Sequence, residues 1–286
     1  MKNRWASRHV AEALFKGIMI VSFALVAASL ILILWTILSK GLPSLSWAII
    51  SQTPKGGYYL GKEGGILNAI LGSLYMAGGG TLLALFLGLP IALYLNTYLD
   101  NSAWSRYVRL ALDVLWGIPS IMYGAFGFFV MLAFGMRASM LGGIIALTLL
   151  EMPIMTRAMD EVIRMMPKDL TEAAISLGST RLEVATRIIT RQMLPGILTA
   201  LLLAFGRGIG DAASLLFTAG YTDRLPTSLF RPAASLPLAV FFQLSMPYPQ
   251  VQKRAYAAAL ILTIIVLIVS LGSRWLAGKL GKFVVK

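Results

Sequence analysis

The segment "GRGIGDA", residues 206 to 212, places Arg207 and Asp211 four residues apart in a run that is otherwise apolar, with "ILTALLLAF" before it and "ASLLFTAG" after it. On a continuous helix, positions i and i+4 share a face, so the two side chains are expected to pair. A lone charge at the centre of a membrane helix costs about 2.5–3.5 kcal/mol on insertion scales. Two readings follow. The pair neutralises itself and locks the helix register, or it serves an anion crossing a wet interior. Arginine suits the second reading, because its planar fork stays charged and grips a tetrahedral oxyanion through two hydrogen bonds. Asp211 would then hold Arg207 while the pathway is empty and release it, or take a proton, when an anion arrives. No catalytic constellation accompanies the pair. The 286 residues include no cysteine and one histidine, His9, which removes thiol nucleophiles, zinc-thiolate sites and multi-histidine metal sites.

Such a charged pair has to be carried by elements that lipid accepts. Hydrophobic residues make up 58% of the chain and charged residues 13%, more apolar surface than a soluble domain of this length can bury. Six apolar segments, approximately 17–39, 66–95, 108–134, 139–157, 194–219 and 255–277, each approach the roughly 20 residues a helix needs to cross hydrocarbon. The fold class expected is therefore all-α, a polytopic membrane protein with six transmembrane helices. The first span is longer than a signal-peptide core and no small-residue cleavage site follows "LWTILSK", so it reads as an uncleaved anchor.

The net charge of +13 sits mostly beside the apolar spans, which fits topogenic charge and anionic lipid rather than nucleic acid. With both termini inside, sixteen Lys and Arg residues fall inside and eight outside, leaving Arg207 in the membrane. Pro90, Pro119 and Pro153 are expected to bend their helices. Gly78, Gly79 and Gly80, Gly124 with Gly127, and Gly206, Gly208 and Gly210 mark faces where helices approach closely. Arg157 ends the fourth span, either as an inside topogenic charge or as part of a pathway. Glu151 is expected to pair with Arg157 or to face water.

Two loops invite a motif reading. "GGYYLGK", residues 56 to 62, has the spacing of a nucleotide-binding loop, but Glu63 stands where the magnesium-binding hydroxyl belongs and no strand precedes it, so it is rejected. The chain has no visible means of hydrolysing ATP. The inside loop of about residues 158–193 is expected to form a helix–turn–helix against the membrane. Asp169 or Thr171 caps its first helix, Gly178 with Ser179 and Thr180 ends it, and a second amphipathic helix follows.

"EAAISLG", residues 172 to 178, resembles the cytoplasmic EAA signature of ABC importer permeases, Glu-Ala-Ala-x-x-x-Gly. Ile188 stands ten residues after that glycine as in the family, while Leu194-Pro195 come four residues later than usual. "GIPSIMYGAFG", "MLPGILTALLLAFGRGIGDAASLLFTAG" and "SLPLAVFFQLSMPYPQVQKRAYAAALILTII" resemble consecutive blocks of the PstA-type permease subunits of bacterial phosphate-specific ABC transporters, over roughly residues 65–277. The resemblance implies a type I ABC importer permease. Its domain covers 66–277, preceded by a basic arm at 1–16 and an anchor helix at 17–39, and followed by a basic tail at 278–286. It implies that Glu172, Ala173, Ala174 and Gly178 belong to a short helix that docks on an ATPase. It also places Arg207, Gly210 and Asp211 at the family's Arg-x-x-Gly-Glu, with Asp in place of the usual Glu. Arg157 falls at another arginine of the family's phosphate pathway. The implied partners are a PstC-like permease subunit, two PstB-like ATPase subunits carrying ATP and Mg, and a PstS-like phosphate-binding protein. This chain would hold no cofactor or metal itself. Importers of molybdate, sulfate or phosphonate share the arginine chemistry. An intramembrane enzyme acting on lipid phosphates would need a nucleophile or acid–base pair that is not found.

Overall fold

The computed structural model describes residues 2–55, 63–100 and 102–280. Within them the regular structure is helical apart from one two-residue antiparallel pairing, Pro54–Lys55 with Glu63–Gly64, and irregular connections include 219–235. The "GGYYLGK" segment lies outside the described residues. In chain order the helices are α1 (Lys2–Gly41), α2 (Trp47–Ser51), α3 (Leu67–Thr97), α4 (Ala103–Gly117), α5 (Ser120–Ala133) and α6 (Met140–Arg164). Then come α7 (Lys168–Ser176), α8 (Arg181–Gln192), α9 (Leu194–Ile209), α10 (Leu215–Thr218), α11 (Leu236–Leu244) and α12 (Pro249–Leu280). Short polar side chains start several of them: Ser102, Ser139 and Ser235 each accept the amide three residues on, capping α4, α6 and α11.

Among the described residues, α1, α3, α6 and α12 are long and apolar enough to cross a membrane unaided. Two bent pairs, α4 with α5 and α8 with α9, pass the same test together, at 98° and 73°. Counted as one span each, they bring the number to as many as six, with α9 the apolar arm of the second pair and α8 the charged arm that leads into it. The span expected at 108–134 is thus two helices meeting at a corner. Ile118 precedes Pro119 and adopts the extended conformation that the proline ring imposes on its neighbour (φ −71°, ψ 131°). The Tyr123 hydroxyl closes the corner by donating to the Leu115 carbonyl at 2.7 Å. Pro90 and Pro153 behave differently, since α3 and α6 each remain one helix across them.

Packing follows residue size. α3 lies along α6, with Gly79 and Gly80 against Ile144 and Leu147 and Gly88 against Thr156. Gly78 faces open space instead of a neighbour. One apolar cluster joins Met155, Met159, Ile163, Val184, Ile189 and Met193, tying α8 and α9 to α6. A second joins Met76, Leu147, Ile209 and Leu215, and a third gathers Ile66, Leu236 and Ala258. α1 stands apart. Its apolar side chains are exposed, Phe23 at 76% for example, and it meets α12 near its end, where Lys40 Nζ donates to the Tyr256 hydroxyl at 3.2 Å. A helix this apolar and this exposed has lipid as its solvent.

The third cluster depends on a polar contact. Ser73 Oγ, on α3, accepts the backbone N–H of Leu236 at 2.7 Å, and both residues are buried. That amide opens α11, where no carbonyl of the same helix can reach it. Ser73→Ala is expected to cost about 1–3 kcal/mol by leaving a buried donor unpaired. The thermal unfolding midpoint of the detergent-solubilised protein should fall accordingly.

Candidate substrate pathway and coupling loop

Helix α9 stops at Ile209, and Gly210 ends it; this is the correction to the continuous span expected over 194–219. Asp211 lies beyond the helix, so the i, i+4 face that would have joined it to Arg207 does not exist. Its carboxylate accepts the Ser214 amide at 2.8 Å and the Ser214 hydroxyl as well, capping the turn that leads into α10. Its own amide donates to the Gly208 carbonyl at 3.1 Å. Among the described residues no ion pair joins Arg207 to Asp211. Aspartate suits this task, because its short arm reaches an amide three residues on. Arg207 remains in the last turn of α9, where its charge complements the helix dipole. Its side chain lines a cavity of about 460 Å³ walled by α4, α6, α9 and α12, with Trp116, Ile154 and Leu203.

The other face of the same helix end meets Glu151. This carboxylate is fully buried on α6, and its Oε2 accepts the Thr81 hydroxyl at 2.7 Å. Its Oε1 has no hydrogen-bond partner among the described residues and lies against Gly208. The expected pairing with Arg157, or exposure to water, is therefore overturned. Gly208 is required here for close approach, since any Cβ would overlap the carboxylate. The sequence carries half of this signal, a glycine between two charged positions. The partner arrives from a different helix.

Arg157 is engaged elsewhere. Its Nε donates to Asp113 at 2.7 Å and its Nη1 to Asp160 at 2.9 Å, with Glu161 at 3.7 Å. Asp160 is fully buried and also receives Arg109 through two bonds, at 2.9 and 3.0 Å, and Asn96 at 2.8 Å. One carboxylate thus ties α3, α4 and α6 together at one end of the bundle. The Arg157–Asp160 spacing of three can be read in the sequence. Arg109 and Asn96 join only through the fold. The structure does not bring Arg157 and Arg207 to a common cavity among those described.

The expected helix–turn–helix is present as α7 and α8. α7 begins at Lys168, with Pro167 in the capping position and no side-chain cap bond, so neither Asp169 nor Thr171 caps it. Pro167 brings the start forward by fixing φ at −57°, and Thr171 Oγ1 bonds back to the Lys168 carbonyl at 2.7 Å. Gly178 ends the helix at φ +87°, with the Ser179 amide on the Ala174 carbonyl and the Gly178 amide on Ile175. Thr180 and Glu183 then form a capping box that starts α8. The Thr180 amide and hydroxyl hold the Glu183 carboxyl below the usual glutamate range. Ala174 is buried in the first apolar cluster and anchors the loop. Glu172, Ala173 and Gly178 are exposed, as are Ile175, Leu177 at 87% and Leu182. Such a run of outward apolar side chains marks a surface for a partner protein or for the membrane.

Residues 84–285 match the family described as "Binding-protein-dependent transport system inner membrane component". The chain is 39% identical over 245 residues to the phosphate transport system permease protein PstA of Xylella fastidiosa strain Temecula1, covering 84% of this chain and 83% of that protein. It is 33% identical over 271 residues to PstA of Haemophilus influenzae, covering 94% of each. A probable ABC transporter permease protein of Bacillus subtilis, YqgI, is 30% identical over 292 residues. Among solved structures, the inward-facing MetNI methionine ABC transporter matches with a TM-score of 0.63 at 16% identity, covering 75% of this chain and 95% of that one. That likeness shows the fold alone.

Two outcomes follow from the geometry. Gly208→Ala should lower the thermal unfolding midpoint of the detergent-solubilised protein by displacing the Glu151 carboxylate, and adding Glu151→Ala should restore part of it. Asp160→Ala should destabilise by about 3–5 kcal/mol, as expected when two arginines lose a buried counter-charge. Thermal unfolding should show Asp160→Asn, which keeps the hydrogen-bonding shape, falling between that variant and the native chain.

Proposed function

The chain belongs to the inner-membrane components of binding-protein-dependent transport systems, and we propose that within this family it is the PstA-type permease subunit of an ATP-driven phosphate importer. It is a multi-pass membrane protein and not an enzyme. The observation that carries the reading is Arg207. A guanidinium charged at every relevant pH lines a cavity beside a spanning helix, and no carboxylate is among the lining residues. A charge with no carboxylate beside it at that place is costly for a structural helix and useful for an anion. The names of the relatives supply phosphate as the anion, at 33–39% identity over most of both chains.

On this reading the chain forms half of the transmembrane pathway beside a PstC-like subunit. A PstS-like binding protein delivers phosphate, and two PstB-like ATPases hold ATP and Mg. The excess of Lys and Arg in the α7–α8 loop and at the termini supports a cytoplasmic side for all three. α7 presents Glu172, Ala173, Leu177 and Gly178 to an ATPase while Ala174 grips the core that continues into α6 and α9. A push on α7 therefore reaches the helix that carries Arg207. That continuity makes a two-state rocking of the bundle mechanically direct. Arg157 and Asp211 act from positions set by Asp160 and Ser214, and their contribution to the pathway is conditional on those contacts loosening.

The test is ATP-dependent uptake by the co-expressed complex in proteoliposomes, with sulfate and molybdate as competitors. Phosphate uptake should resist both competitors. Arg207→Gln should lower it at least tenfold, on the order of a lost charged hydrogen bond. Glu172→Arg should leave insertion intact but separate ATP hydrolysis from uptake. Full transport by Arg207→Gln would overturn the pathway role, and efficient competition by sulfate or molybdate would reassign the anion.

A further inference from the structure

Arg207 is not the sole cation at its cavity. The same space of about 460 Å³ is lined by Ser270, Ser273 and Arg274 of α12. These three positions are spaced three and four apart, so they share one face of that helix. The remaining lining is apolar, from Trp116, Ile154 and Val266 among others, and includes no Asp or Glu. By residue type alone Arg274 is a topogenic charge near the end of the last span. Its placement beside Arg207 gives it a second meaning.

The electrostatics of this arrangement point one way. Two guanidinium groups of like charge line one largely apolar cavity with no Asp or Glu beside them. Arg109 and Arg157 show what this fold does with arginines it uses as struts: each is bonded to carboxylates. Arg207 and Arg274 have no ion pair and no hydrogen bond within the chain among the described residues. The charge that would relieve them has to come from outside. Two planar forks and two hydroxyls offer many donors and no fixed negative charge, which matches a tetrahedral oxyanion.

The two arginines are also offset along the membrane. Gly206 packs beside Val269 of α12, and Arg274 lies five residues further along, about 7.5 Å at the rise of an α-helix. They are therefore successive contacts rather than a single clamp. We propose that Arg274, with Ser270 and Ser273, is a second set of ligands for a phosphate-type oxyanion, handing it along the cavity from Arg207. The proposal rests on the pathway reading of Arg207. A phosphate oxyanion at this place is either free inorganic phosphate or the headgroup of an anionic lipid, and the chemistry is the same for both.

The experiment uses the full complex in two kinds of vesicle, phosphatidylcholine alone and phosphatidylcholine with phosphatidylglycerol. Inorganic phosphate is the probe, and uptake is measured for Arg274→Gln, Arg274→Lys and the double variant Ser270→Ala, Ser273→Ala. Arg274→Gln should raise KM for phosphate about tenfold in both kinds of vesicle, in line with a lost charged hydrogen bond. Arg274→Lys should be intermediate, since it keeps the charge and loses the fork. The serine pair should raise KM by a smaller factor. A change confined to vesicles containing phosphatidylglycerol would assign the oxyanion to the lipid headgroup. Unchanged KM and maximal rate in both vesicles would overturn the proposal, and co-purification of the assembled complex checks that each variant folds. If Arg274→Gln fails to assemble, an unchanged KM for the serine pair overturns it instead. Wild-type vesicles that favour sulfate or molybdate would overturn phosphate as the substrate. The variants would then be read on that anion, which separates the two failures.

Discussion

Inside lipid a backbone amide has no water to bond, so a spanning helix can be interrupted only where protein takes up the freed groups. The end of α9 at Gly210 meets that condition. Asp211 accepts the Ser214 amide, the Ser214 carbonyl accepts the Thr218 hydroxyl, and the Thr218 carbonyl accepts the Ser139 amide that precedes α6. Glu151 presses on Gly208 from the other side, held by Thr81 of α3. The break is therefore braced by α3, α6 and the 211–218 turn together. It leaves Arg207 on a neighbouring face of the helix end, lining a cavity.

This bracing separates two charges that look like a pair. A salt bridge between Arg207 and Asp211 would have neutralised the cavity and left nothing for an anion. Asp211 is instead occupied by the Ser214 amide and hydroxyl, and Arg207 has no carboxylate partner among the described residues. The other buried charges are arranged in the opposite sense. Asp160 gathers Arg109, Arg157 and Asn96, so that positive and negative groups cancel locally and fix three helices at one end. The same residue type is thus tied down as a strut or left without a counter-charge according to whether a carboxylate from another helix reaches it.

The α7–α8 loop is joined to these regions by packing. Its Ala174 enters the cluster built from Met155, Met159, Ile189 and Met193, and that cluster runs along α6 and into α9. The positive φ of Gly178 and the Thr180–Glu183 box set the angle between α7 and α8, which directs Leu177 and its neighbours outward. The loop is thus anchored through a small buried residue while larger apolar ones stay exposed.

Composition and periodicity were sufficient for the membrane class, the positions of α3, α6 and α12, and the helix–turn–helix with its glycine stop, because those depend on local hydrophobic length and backbone preference. The Arg207 anomaly was also visible, since a charge in an apolar run stands out whatever surrounds it. Contacts between distant segments were not. The burial of Glu151 on Gly208, the four-residue network at Asp160 and the placement of Arg207 and Arg274 on one cavity each bring together residues far apart in the chain. Spacing along one helix says which residues share a face. Only tertiary packing decides what that face meets, and therefore whether a charge is cancelled or left free to bind.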